Sequence, residues 1–98
     1  MLDLKAMFEK HADEYIKFDR VESPKHTRPD LCAFLLLHEL APPAKAGRDM
    51  VCAAEHDEFF LDADVDTVAA NATEEQVVTL IRCGVQLDVQ NYCFAMFA

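Results

Sequence analysis

The chain has 98 residues, of which 52% are hydrophobic, and a formal net charge of −9. That is enough for one domain spanning residues 1–98 with one core, burying roughly 60–70% of the surface it exposes when unfolded. The hydrophobic fraction is too high for a disordered chain, and two Gly and four Pro leave no long flexible linker.

Residues 3–19 read as an amphipathic helix. Leu4, Phe8, Ala12 and Tyr15 recur at helical spacing, Ile16 widens the stripe, and Asp13 to Lys17 is a favourable i,i+4 pair. Residues 20–29 form a loop that contains Pro24 and Pro29 and carries Arg20, Lys25 and Arg28. Asp30 is expected to cap a second helix, Leu31 to Leu40, which is apolar almost all round and so either central or half covered by a partner chain. Pro42 and Pro43 end it, and Ala44 to Arg48 is a loop.

Residues 50–63 have the pattern of a β-hairpin, with strands Met50–Glu55 and Phe59–Ala63 about a turn at His56-Asp57-Glu58. Its alternation places Phe59, Leu61 and Ala63 on one face, and Glu58, Phe60, Asp62 and Asp64 on the other. Asp64 or Asp66 caps a short helix through Ala72. Thr73 to Gln76 reads as a capping box opening a helix to about Cys83, with Val77, Leu80 and Ile81 inward and Gly84 at the left-handed position after it. Val85–Leu87 and Tyr92–Phe97 form a second hairpin about Asp88–Asn91. Its last strand is nearly all apolar, which suits a central or covered position; an apolar edge that dimerises is the alternative. The fold class is α+β: two N-terminal helices, then hairpin-helix-hairpin, giving an antiparallel sheet of about four strands packed on helices.

The charge is segregated. Residues 1–48 hold eight basic and eight acidic side chains, whereas residues 49–98 hold ten acidic ones and only Arg82. Direct nucleic-acid binding needs clustered Lys and Arg, and an anionic membrane repels such a surface. The longest apolar run, Leu31 to Leu37, is far shorter than a membrane span, and the start of the chain has no signal-peptide pattern. A soluble cytoplasmic protein is expected.

Few residues suggest chemistry. Cys32, Cys52, Cys83 and Cys93 are widely spaced in apolar surroundings, so buried free thiols are expected and no metal site. Asp62, Asp64 and Asp66 have the spacing that opens a calcium loop, but the sixth and twelfth positions hold Thr67 and Thr73 instead of Gly and Glu. His38-Glu39 opens a zinc-protease pattern that fails at Pro42, and His56-Asp57-Glu58 reads as a turn. No phosphate loop or nucleophile elbow occurs, and Ser23 is the only serine. No enzyme, cofactor or metal is expected.

The acidic half has two readings: a solvated face that keeps the protein soluble, and a surface aimed at a basic partner. On the second, the partner-binding residues are Glu55, Asp57, Glu58, Asp62, Asp64, Asp66, Glu74 and Glu75, and the partner is a protein with a basic surface, such as a nucleic-acid-binding complex. In size, acidity and lack of motifs the chain resembles small phage-encoded inhibitors, including anti-CRISPR proteins and DNA mimics. That resemblance is one of profile and rests on no motif. It implies a non-enzymatic inhibitor or regulator whose carboxylates imitate phosphates. The competing expectation is an assembly subunit or homodimer joined through residues 31–40 or 92–97.

Overall fold

The computed structural model describes residues 1–97. Helix α1, Leu4–Lys10, starts where the Asp3 carboxylate accepts the Ala6 N–H at 3.1 Å. It stops well short of residue 19. The chain continues through two 3-10 turns, Ala12–Glu14 and Phe18–Arg20, separated at Ile16, which has φ 56°. Tertiary bonds outcompete the helix here. The Ile16 N–H donates to the Ile81 carbonyl at 3.2 Å, and Arg82 donates to the Glu14 carboxylate at 2.8 Å. Ile16, expected on the inward stripe, is therefore 67% exposed.

Helix α2, Pro29–Leu40, begins before the expected Asp30 cap. Pro29 takes the first helical position, where a missing N–H costs nothing, and Arg28 is the cap residue. Asp30 sits in the first turn, and its carboxylate accepts the Leu31 N–H. Cys32, Ala33, Leu36, Leu37 and Leu40 are buried, while Leu31 and Leu35 on the opposite face are 37% and 43% exposed.

Strands β1, Val51–Glu55, and β2, Glu58–Leu61, meet at a two-residue turn in which His56 has φ 58°. Asp64, and not Asp66, caps helix α3, Val65–Asn71, by accepting the Thr67 N–H at 2.9 Å. Helix α4, Glu74–Arg82, opens with the full capping box. The Gln76 N–H donates to Thr73 Oγ1 at 3.2 Å, and the Thr73 N–H donates to Gln76 Oε1 at 2.9 Å. Thr73→Ala breaks this reciprocal pair and is expected to cost about 1 kcal/mol, read as a lower urea midpoint with unchanged slope. Gly84, at φ 98°, turns the chain into β3, Gln86–Asp88, and β4, Cys93–Phe97, completes the sheet.

All neighbouring strands are antiparallel, in the order β1-β2-β4-β3. The apolar β4 is thus central, as expected, and its alternative role as a dimerising edge is ruled out by β2 and β3 on its two sides. β1 and β3 are the edges. The helices and the sheet close on one core, in which Phe94 is fully buried and its ring centroid lies 6.2 Å from that of Phe8. Phe34 of α2 meets Phe59 of β2 edge-on at 6.4 Å.

All four cysteines are free thiols. Cys32 and Cys83 are buried, and burial, with Cys32 close by, pushes the Cys83 thiol up to about 12. Cys52, however, is exposed, because it lies on an edge strand whose five residues are all exposed. Among the described residues no helix is long and apolar enough to cross a membrane.

Two glutamates tie the N-terminal segment to α4. Glu14 accepts from Arg82 at 2.8 Å and Arg20 at 2.9 Å; Glu74 binds Lys10 at 3.0 Å and His11 at 2.6 Å. Arg82, with Arg20, holds Glu14 below its ordinary 4.5, and His11, with Lys10, does the same for Glu74. Carboxylates with depressed folded values stabilise fully above the unfolded value and lose that contribution as pH falls through the folded one. Acid unfolding followed by circular dichroism should therefore set in below pH 4.5, and Glu14→Gln should flatten the stability loss in that range.

Candidate functional site

The sheet has two unlike faces. On the inner one, Phe59, Leu61, Leu87, Phe94 and Met96 pack on the helices. Pairing register puts the alternate residues together on the other face: Ala53 and Glu55 of β1, Glu58 and Phe60 of β2, Cys93, Ala95 and Phe97 of β4, and Gln86 and Asp88 of β3. Among the described residues this face is most open at Phe97, which is 58% exposed, whereas Ala95 in its middle is buried and the Gln86 amide at its β3 edge donates to the Tyr15 hydroxyl at 3.1 Å.

The open face bears a hollow of about 390 Å³. Glu55, His56, Asp57 and Glu58 of the first hairpin line it together with Asp88 and Asn91 of the second, and Phe60 and Phe97 supply its apolar part. Glu55 and Glu58 are direct cross-strand partners at the end of the hairpin. Like charges placed opposite one another destabilise a sheet. Among the described residues, the only basic side chain within ion-pair reach of Glu55, Asp57, Glu58 or Asp88 is His56, 3.9 Å from Glu55.

Asp88 was not among the sequence-derived candidates, yet it lines the same hollow. Its carboxylate accepts the Asn91 N–H at 3.1 Å and the Asn91 Nδ2–H at 2.9 Å, and these bonds hold it below its ordinary range, so it stays ionised. The signal for it was its alternation with Gln86 in a strand of three residues, a run too short to fix a face from sequence. Burial, with the charges of Asp88 and Glu58 nearby, raises the Cys93 thiol, so it stays protonated.

The other five candidates go elsewhere. β2 ends at Leu61, so Asp62 and Asp64 lie beyond the strand and do not share its face with Glu58. Asp62 is clamped by Arg48, Nε to Oδ2 at 2.8 Å and Nη2 to Oδ1 at 2.5 Å, which keeps it ionised but spoken for. Asp64 is the α3 cap, Asp66 accepts the Tyr92 hydroxyl, and Glu74 is held by Lys10 and His11. Glu75 is exposed on α4. The three aspartates that resemble a calcium-loop opening thus have three different partners. Among the described residues no group of three or more His, Cys, Asp or Glu is placed to hold a metal ion.

A second concavity, about 410 Å³ and mainly apolar, lies between α1 and β3 and is lined by Phe8, Ile81, Val85, Leu87 and Phe97, with Lys5 and Glu9 at its side. The opposite charges of that lysine and glutamate select no sign of ligand. The carboxylates of the open face do.

The chain matches no protein-family model, no curated protein and no solved structure.

Proposed function

We propose that this protein is a non-enzymatic interaction module that binds a basic surface of another protein through the open face of its sheet, and so inhibits or regulates a nucleic-acid-binding partner. One observation carries the reading. Glu55 and Glu58 face each other directly beside Asp57, with Asp88 of the other hairpin lining the same hollow, and no Lys or Arg among the described residues answers them. A free protein carries that repulsion as a cost. A cation from a partner removes it. Carboxylates grouped on one surface can occupy a cationic site built for phosphates, and long-range attraction speeds the encounter. The profile resemblance to small phage-encoded inhibitors agrees with this role.

Titration calorimetry with a basic polypeptide tests the reading. Binding should be strong at low salt and weaken steeply as salt screens the charges. Glu75→Lys, which changes the net charge equally but away from the hollow, should leave most of the affinity. If Glu75→Lys weakens binding as much as Glu58→Lys, the attraction is a property of net charge alone and the open face is not the site.

A second reading, a homodimer or assembly subunit, draws on the exposed Leu31 and Leu35, one helical turn apart on the outer face of α2. It predicts a solution mass above 11.1 kDa that responds little to salt and falls to the monomer value in Leu35→Glu.

A further inference from the structure

The open face contains more than carboxylates. Phe60 stands opposite Ala95 of β4 and Ala53 of β1, and Phe97 stands opposite Glu58, so the two phenylalanines are diagonal neighbours on one face. Diagonal cross-strand neighbours are roughly 7–8 Å apart. Aromatic side chains reach across such a diagonal, so one bound flat group can meet both rings. The small, exposed Ala53 lies beside Phe60 on the edge strand, while Ala95 on its other side is buried. Among the described residues the close ring pairs are Phe8 with Phe94 and Phe34 with Phe59, so neither Phe60 nor Phe97 has its face taken up by another ring.

A lysine ammonium is a compact, strongly hydrated point charge and gains little from leaving water for an aromatic surface. An arginine guanidinium is flat and weakly hydrated, stacks on aromatic faces, and offers paired N–H groups to carboxylates. Phe60 and Phe97 offer such faces, Glu55 and Glu58 lie across the hairpin end from one another, and Asp88 is oriented in advance by Asn91. We propose that the open face takes an arginine-bearing segment of its partner in preference to a lysine-bearing one, the guanidinium lying against Phe60 and Phe97 between the carboxylates. This rests on the reading of the open face as the site for a basic partner.

The test uses the full chain and two peptides, one of alternating arginine and glycine and its counterpart with lysine. In calorimetry at low salt the arginine peptide should bind about three- to tenfold more tightly. Phe97→Ala and Phe97→Leu should both bring that ratio close to one while leaving salt-dependent binding of both peptides. Phe97 is exposed, so these variants should keep their urea midpoint. Equal affinities in the unaltered protein, or a preference that survives Phe97→Leu, would overturn the arginine assignment and leave the wider reading standing. If neither peptide binds at any salt concentration, both fall.

Discussion

Replacing Glu55 and Glu58 together by lysine is expected to lower affinity for a basic partner about 100-fold or more at low salt, because each attraction becomes a repulsion. Calorimetry or surface plasmon resonance against the same basic polypeptide reads it. The single substitution Glu55→Lys has a more particular signature. It turns the like-charged cross-strand pair into an opposite pair, so it should raise stability by about 0.2–1 kcal/mol while weakening binding. A site kept at a cost to stability behaves in this way. A merely solvated acidic face does not, since there the same change would leave binding untouched. Unchanged affinity in Glu55→Lys would therefore rule out the open face as the docking surface.

The second large effect lies on the other face of the same sheet. Phe94 is fully buried on central β4 against Phe8, and Phe94→Ala should cost about 3–5 kcal/mol, the usual range for removing a buried ring. Domains of this size are stable by about 5–15 kcal/mol, so much of the margin would go. The urea midpoint should fall steeply. Phe97→Ala, three residues along and on the open face, should change stability by no more than about 0.5 kcal/mol. Comparable losses at the two positions would mean that the sheet does not present these faces as described.

These contrasts depend on a face assignment that the amino-acid sequence made only in part. Alternation in Phe59 to Leu61 separates Phe60 and Glu58 from Phe59 and Leu61, and the sheet keeps that division. The same alternation continued to Asp62 and Asp64 was misleading. Local pattern does not reveal that Arg48 draws Asp62 away or that Asp64 is used to start α3. In the N-terminal segment, helical spacing to Tyr15 is real. Yet Glu14 meets Arg82 across 68 positions, and Ile16 bonds to Ile81, so the chain bends where periodicity favours a straight helix. Such non-local bonds leave no trace in a window of a dozen residues.

What the sequence determined by itself was local or compositional. The Thr73–Gln76 capping box, the left-handed Gly84, both hairpins, the apolar character of the last strand and the acidic second half follow from short-range hydrogen bonding, allowed backbone angles and residue burial. What only the tertiary structure decided was which carboxylates are available. Five of the eight candidates lie away from the hollow, four of them bonded within the chain, while Glu55, Asp57 and Glu58 stay without a Lys or Arg partner among the described residues and gain Asp88 from the other hairpin. A charge becomes a site only when strand register brings it beside others and no neighbouring cation neutralises it. Both conditions are set by contacts between residues far apart in the chain.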